Sequence, residues 1–166
     1  MHCYINLQNR VSLINSIVYL FKCINFVFVP RLFIMSEDKL IASYMLIDQA
    51  NSKDPNKEEI NNVLIGKEVI YGQRMTETLD LFEPNASVAL KLAARAQHIC
   101  RWEIPRDSYP MDRIGYLKWR EELKTFHADK ASEILKTVGY SEETIMRVRF
   151  LIQKKKLKRD EGTQIL

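Results

Sequence analysis

The sequence contains few cysteines and few glycines, and both shortages restrict the class of fold. Two of its three cysteines, Cys3 and Cys23, lie in the first 35 residues, so Cys100 is alone in the rest of the chain. A lone thiol cannot form an internal disulfide, which is typical of a reducing compartment. Five glycines in 166 residues, without strong apolar and polar alternation, disfavour a fold built from hairpins. Apolar residues instead recur at spacings of three and four, which predicts an all-α domain.

Acidic residues are absent before Glu37. Three of the chain's 25 basic residues, Arg10, Lys22 and Arg31, lie in that stretch, which leaves 22 basic and 21 acidic residues for the remainder. A nearly neutral domain lacks the overall positive field that steers proteins toward nucleic acid. We therefore expect any preference for anions to arise from local clusters of arginine.

Residues 1–35 are apolar and free of acids, unlike the rest of the chain. We predict a disordered or non-native extension there, and a targeting segment is the alternative. The most apolar run, residues 17–29, contains Lys22 and Asn25 and is shorter than the roughly 20 residues of a spanning helix, so no stable membrane insertion is expected. A cytoplasmic location is predicted, or a mitochondrial one if residues 1–35 are a presequence. Ser36 then resembles a helix cap at the start of the folded domain.

Residues 36–166 are predicted to form one helical domain. Helices are expected over residues 39–50, 67–82, 86–101 and 113–138, and from Ser141 onward. Alanines at positions 86, 89, 93, 94 and 96 favour the third helix as the central one, because small side chains let neighbouring helices approach. Residues 58–65 indicate either a short helix or a loop. Residues 163–166 read as the opening of a further helix, so the domain is expected to lack its last helix.

Two histidines, His98 and His127, lie in the most distinctive part of the chain, residues 92–131. They are the candidate catalytic residues, and they are also the candidate ligands if a divalent metal is bound. A catalytic zinc site needs three protein ligands, and the sequence has neither H-x-x-x-H nor C-x-x-C. No cofactor is therefore predicted. A pair of structural histidines and a metal-free functional pair remain as alternatives.

Arginines and aromatic residues surround these histidines. Arg95 and Arg101 flank His98 at a spacing of three, which predicts that all three lie near one helix face. Arginine's planar fork suits phosphate or carboxylate oxygens, whereas pairing with nearby acids is the alternative use of the same charge. Aromatic side chains beside prolines either contact a ligand or anchor a loop to the core. The candidate ligand-binding residues are Arg74, Arg95, Arg101, Trp102, Arg106, Tyr109, Arg113, Trp119 and Arg120.

Several short motifs in this region resemble the uncharacterised family named domain of unknown function 4202. They are QRMT at 73–76, AARAQHI at 93–99, RWEIPR at 101–106, YPM at 109–111, GYLKWR at 115–120 and FHA at 126–128. The resemblance extends from about residue 40 to the end of the chain. It also implies that a final helix is missing from this chain.

More distantly, the order of helices resembles the HD superfamily of helical metal-dependent phosphohydrolases. That resemblance implies a histidine near the position of Tyr71 and an aspartate at the position of Ile99. An apolar side chain such as that of Ile99 cannot bind a metal. Only His98 and His127 therefore carry over as metal ligands.

The sequence leaves three hypotheses for function. The first is a pocket around His98 and the following arginine-rich loop that binds a phosphate-bearing small molecule, such as a nucleotide. Within it, the prolines at 105 and 110 are expected to direct Arg106 toward His98, and His127 is expected to be more deeply packed. The second is a divergent HD-like phosphohydrolase, and the third is a nucleic-acid adaptor that uses the basic run at residues 154–159. The oligomeric state is left open.

Overall fold

The computed structural model describes residues 36–156 and 159–166, and most of them are helical. The predictions made for residues 1–35 lie outside this part of the chain. The elements in chain order are α1 (Ser36–Asn51), β1 (Lys57–Ile60), β2 (Val63–Gly66), α2 (Lys67–Phe82), α3 (Val88–Ala96), two 3-10 helices (Arg101–Glu103 and Arg106–Ser108), α4 (Arg113–Val138), α5 (Glu142–Ile152) and α6 (Glu161–Ile165). The predicted all-α class is confirmed, with one small hairpin added.

Helix α3 lies at the centre of the domain. It contacts α1, α2, α4 and α5. Ala93, Ala94 and Ala96 are at most 1% exposed, so the neighbouring helices approach its backbone closely, as the alanine pattern predicts. Leu92, Leu135, Ile145 and other apolar side chains complete one continuous core around this helix.

Helix α4 has the predicted bounds because local side chains determine both ends. The carboxylate of Asp112 accepts a hydrogen bond from the backbone N–H of Gly115 at 2.6 Å, which caps the first turn. At the other end, Gly139 adopts the left-handed conformation with a φ of 87°, and its N–H bonds to the carbonyl of Leu135. Ser141 caps the next helix in the same way as Asp112 caps α4. These caps end α4 and begin α5 within a few residues, and the two helices contact each other.

The prediction of a short helix or loop for residues 58–65 is wrong, because these residues belong to a β-hairpin. Strands β1 and β2 pair antiparallel, with Ile60 opposite Val63. Asn61 and Asn62 form the two-residue turn with φ angles of 52° and 64°. Asparagine tolerates this left-handed region better than most residues, and such turns match the twist of paired strands.

The predicted helix over residues 86–101 ends earlier, at Ala96. Cys100 adopts a left-handed conformation with a φ of 53° and reverses the direction of the chain. Its backbone N–H donates to the side-chain oxygen of Asn51 at 2.9 Å, and the side-chain nitrogen of Asn51 donates to the carbonyl of Glu68 at 3.3 Å. The end of α1 therefore stabilises a turn that no local motif in the sequence predicts.

Within the part of the chain that the structure describes, no helix combines the length and the apolar character needed to cross a bilayer.

Candidate functional site

The segment between α3 and α4 is held rigidly against α4. The guanidinium of Arg106 donates to the carbonyl oxygens of Tyr109, Pro110 and Asp112 at 2.9–3.2 Å. The indole nitrogen of Trp119 donates to the carbonyl of Ile104 at 2.8 Å. These bonds fix the loop as one wall of a cleft beside His98.

This cleft, called the outer cleft below, has a volume of about 640 Å³. The beginning of α2 forms one side, and the two 3-10 helices with Trp119 form the other. It is lined by Pro55, Asn56, Lys67, Glu68, Tyr71, His98, Arg101, Trp102, Ile104, Pro105, Arg106 and Trp119. Its size is typical of small-molecule sites, which combine mostly apolar walls with a few polar groups.

His98 lies in the outer cleft between three side chains. The ring of Tyr71 stacks on the imidazole with centroids 4.1 Å apart and planes 12° apart. Nη1 of Arg101 is 3.4 Å from Nε2 of His98, and arginine has only donors, so Nε2 is the acceptor in this contact. Nδ1 of His98 lies 3.6 Å from Oε2 of Glu68, beyond hydrogen-bond distance. Glu68 therefore keeps a carboxylate oxygen without a bonded donor.

A smaller cavity of about 80 Å³, the inner pocket, adjoins the outer cleft and shares His98 and Arg101 with it. His127 lies in its wall and is only 2% exposed. Nδ1 of His127 is 2.8 Å from the carbonyl oxygen of Ile99, which requires a proton on Nδ1 and leaves Nε2 as an acceptor. Burial lowers the pKa of His127 to about 3, so the ring is neutral near pH 7.

Polar atoms in the wall of the inner pocket lack partners. Nε2 of His127 and the side-chain nitrogen of Gln97 are buried and have no hydrogen-bond partner. Such atoms in a folded protein call for an explanation, because an unpaired buried polar group costs roughly 1–3 kcal/mol. One is an acceptor and the other is a donor. A ligand that both accepts and donates would satisfy both.

Positive charge dominates the inner pocket. Its lining residues are Gln97, His98, Arg101, Arg120, Leu123, Lys124, His127, Ile152 and Lys154. None of them is acidic. Burial, with Arg120 and Lys124 nearby, lowers the pKa of Lys154, whose Nζ donates to the backbone oxygen of Leu166 at 3.1 Å. Lys124 pairs with Glu121 at 2.5 Å, whereas Arg101 and Arg120 have no carboxylate within 4.0 Å among the residues described. Basic side chains are therefore clustered locally here, although residues 36–166 as a whole are nearly neutral.

Arg95 does not share a face with His98 and Arg101, and that prediction is wrong. Its Nε and Nη2 donate to the two carboxylate oxygens of Asp48 at 2.9 and 2.5 Å, and Nη1 donates to Thr76 at 3.2 Å. The guanidinium also lies over the ring of Tyr44. Because the helix ends at Ala96, the next residues turn away from Arg95, which serves the packing of α1, α2 and α3.

The other predicted residues are divided between the site and the surface. Trp102, Arg106 and Trp119 line the outer cleft, while Arg101 and Arg120 line the inner pocket. Arg74 and Arg113 are exposed and line neither cavity. The hydroxyl of Tyr109 donates a hydrogen bond to the carboxylate of Glu122, which connects the loop to α4. Glu68 and Gln97 were not predicted as site residues, since a single polar residue in a helical pattern carries no motif. Lys154 was considered only as part of the basic run at residues 154–159.

The residues around the two histidines do not fit a metal ion. The rings of His98 and His127 are 5.9 Å apart, but within residues 36–156 and 159–166 no three potential ligands are arranged to hold a metal. Arg101 already donates toward Nε2 of His98. Four cationic side chains in the inner pocket would also repel a metal cation.

Comparisons with known proteins identify this chain by family only. No curated protein and no solved structure matches it. A family model described as a domain of unknown function (DUF4202) matches residues 42–166, which include every element of the site. The chain belongs to this family, as its motifs predict.

Proposed function

We propose that the chain binds a phosphate-bearing small molecule, with the phosphate in the inner pocket and the rest of the ligand in the outer cleft. The observation that carries the proposal is the composition of the inner pocket. Cationic side chains line it without any carboxylate, and Gln97 offers a buried N–H group that has no partner. An anion with several acceptor oxygens satisfies both features at once.

Each side chain of the inner pocket has a distinct contribution in this proposal. Arg101 and Arg120 supply charge and planar donors, and Lys154 adds a third charge. Gln97 donates to a phosphate oxygen. Nε2 of His127 accepts from a protonated one. A phosphate monoester has its second pKa near 6, so it carries a proton on part of the population at neutral pH.

The divergent phosphohydrolase is the second candidate, favoured by the closeness of His98 and His127. Its chemistry would need a metal, and the positive surroundings of both rings disfavour one. The likeness to the HD superfamily stays a prediction. The nucleic-acid adaptor likewise stays a prediction, and residues 157 and 158 of the basic run lie outside the described residues.

Titration calorimetry and thermal shift with inorganic phosphate and with adenosine monophosphate test the proposal. We expect both ligands to bind and to raise the melting temperature in the presence of a chelator. Arg120→Gln should weaken binding about 10- to 100-fold, because a charge-assisted hydrogen bond contributes roughly 1.5–3 kcal/mol. Arg113→Gln is the matched control, since it removes an exposed arginine from the same helix outside both cavities.

Three outcomes would contradict the proposal. Equal losses in Arg120→Gln and Arg113→Gln would indicate diffuse electrostatic attraction. Stabilisation that requires a divalent metal, and that disappears in both His98→Ala and His127→Ala, would favour the hydrolase. Binding of single-stranded oligonucleotides without binding of phosphate or the mononucleotide would favour the adaptor.

A further inference from the structure

We propose that the outer cleft selects a ligand whose ring carries an amino group, and that Glu68 accepts the hydrogen bond from that group. This inference rests on the proposed function of the inner pocket. It narrows the ligand class to phosphorylated compounds with an amino-substituted aromatic ring. Nucleotides of adenine and cytosine belong to this class, whereas those of hypoxanthine and uracil do not.

The first observation is the unpartnered carboxylate oxygen of Glu68. The side chain is 12% exposed, and its Oε2 is buried without a hydrogen bond. The nearby nitrogen, Nδ1 of His98, is 3.6 Å away. A carboxylate accepts hydrogen bonds and cannot donate them when ionised, so it recognises donors such as an amino group. A carbonyl oxygen at the same place on a ring would be repelled.

The position of Glu68 is fixed by the fold. Its backbone N–H donates to Oδ2 of the buried Asp54 at 3.1 Å, so this carboxylate caps the start of α2. Its backbone carbonyl accepts from Asn51. With the backbone held at both ends, the carboxylate of Glu68 stays at the edge of the cleft, and this preorganisation favours selectivity.

The second observation is the aromatic lining of the cleft beside Glu68 and His98. Tyr71 lies one turn after Glu68 and stacks on His98, and Trp102 and Trp119 line the opposite side. Flat aromatic and imidazole surfaces suit the stacking of a planar ring. The volume of about 640 Å³ leaves room for a ring and a linking group.

The third observation is that the two cavities share His98 and Arg101. One molecule can therefore place an anionic group in the inner pocket and a ring in the outer cleft.

Calorimetric titration of the whole chain with two matched pairs of ligands tests this inference. Adenosine and inosine monophosphate differ in the exocyclic group, amino against oxo, and in the adjacent ring nitrogen, which accepts in adenine and donates in hypoxanthine. Cytidine and uridine monophosphate differ in the same two ways. We expect the amino member of each pair to bind at least tenfold more tightly. Glu68→Gln should reduce this preference below threefold, because the glutamine amide can accept a hydrogen bond from an amino group and can also donate one to an oxo group.

Glu77→Gln is the matched control, since Glu77 is exposed on the same helix and does not line the cleft. It should keep the full preference. Glu68→Asp provides a second variant, which retains the charge but withdraws it by one methylene, and it should lower the preference as well. If neither variant at position 68 folds, the preference of the unmodified chain still decides the question.

The outcomes separate this inference from the proposed function. Equal binding of both members of each pair, or tighter binding of the oxo members, would overturn the role of Glu68 while leaving phosphate binding intact. An unchanged preference in Glu68→Gln would also overturn it. A chain that binds neither inorganic phosphate nor any of the four nucleotides would overturn the proposed function itself.

Discussion

Two polar regions lie on either side of Ala96, and they differ in how completely their hydrogen bonds are satisfied. In the Arg95 network, formed by Tyr44, Asp48, Thr76 and Arg95, all three guanidinium nitrogens donate to Asp48 or Thr76. In the inner pocket, two residues further along the chain, Gln97 keeps a buried nitrogen without a partner. The same short stretch of chain therefore supplies a completed ion pair and an incomplete polar site.

This contrast separates residues that stabilise the fold from residues available to a ligand. A paired buried charge is costly to disturb, because removing one partner leaves the other without compensation. An unpaired buried group already carries its cost in the folded protein, and binding can recover it. Substitutions in the Arg95 network should therefore change stability without changing ligand binding, whereas substitutions in the inner pocket should do the reverse.

The largest effect is expected from Arg95→Met. It leaves the carboxylate of Asp48 without its arginine, and breaking a buried pair costs about 3–5 kcal/mol of unfolding free energy. Asp48 is 25% exposed at its side chain, so we expect the lower end of this range. Urea unfolding followed by circular dichroism measures the loss.

The double variant Asp48→Asn with Arg95→Met is the control for that loss. It should recover part of the stability, because the uncompensated negative charge is gone. Losses that simply add in the double variant would show that the two side chains are not coupled. Affinity for phosphate should stay unchanged in every variant of this set that folds.

An effect of similar size is expected from acid, through His127. Burial lowers its pKa in the folded state from the ordinary 6.5 to about 3. The neutral ring therefore contributes stability that is fully present above pH 6.5 and is lost as the pH falls toward 3. The slope from this one group is at most about 1.4 kcal/mol per pH unit. Unfolding free energies measured between pH 7 and pH 4 should show it.

The variants His127→Asn and His127→Gln test the two ring nitrogens separately. The asparagine amide is placed to replace Nδ1 and keep the bond to Ile99, and the glutamine amide is placed to replace Nε2 in the pocket. Both variants should lose the part of the acid dependence between pH 6.5 and 4 that His127 causes. We expect Asn to be the more stable and Gln to bind phosphate more tightly. The reverse ranking would contradict the roles given to the two nitrogens.

Local signals in the sequence predicted much of the fold. The bounds of α4 follow from two local signals. The side chain of Asp112 caps the first turn, and Gly139 adopts the left-handed conformation that ends the last turn. The central position of α3 follows from its alanines. The early end of α3 could not be predicted, because it depends on a bond between Asn51 and Cys100, which are 49 residues apart.

The candidate site was predictable only in part for the same reason. The neighbourhood of His98, Arg101 and Trp102 follows from their adjacency in the chain. The partner of Arg95 is Asp48, 47 residues earlier, and nothing in the local pattern distinguishes this arginine from Arg101. Gln97 and Glu68 gain their importance from missing partners, which only a three-dimensional arrangement reveals.

The smallest change in stability, and the sharpest test of the contrast, is expected from Gln97→Glu. The substitution keeps the shape of the side chain and adds a carboxylate near Arg101 and Arg120. The new ion pairing and the cost of burying the charge oppose each other, so the unfolding free energy should change by less than about 1 kcal/mol in either direction. The new carboxylate accepts hydrogen bonds from the arginine donors that an anion would otherwise use, and its charge repels the anion. Phosphate binding should therefore fall at least tenfold while the fold is kept, which calorimetry and urea unfolding measure on the same samples. A variant that keeps its affinity for phosphate would mean that the inner pocket is not the anion site, and a loss of several kcal/mol would mean that Gln97 belongs with the residues that stabilise the fold.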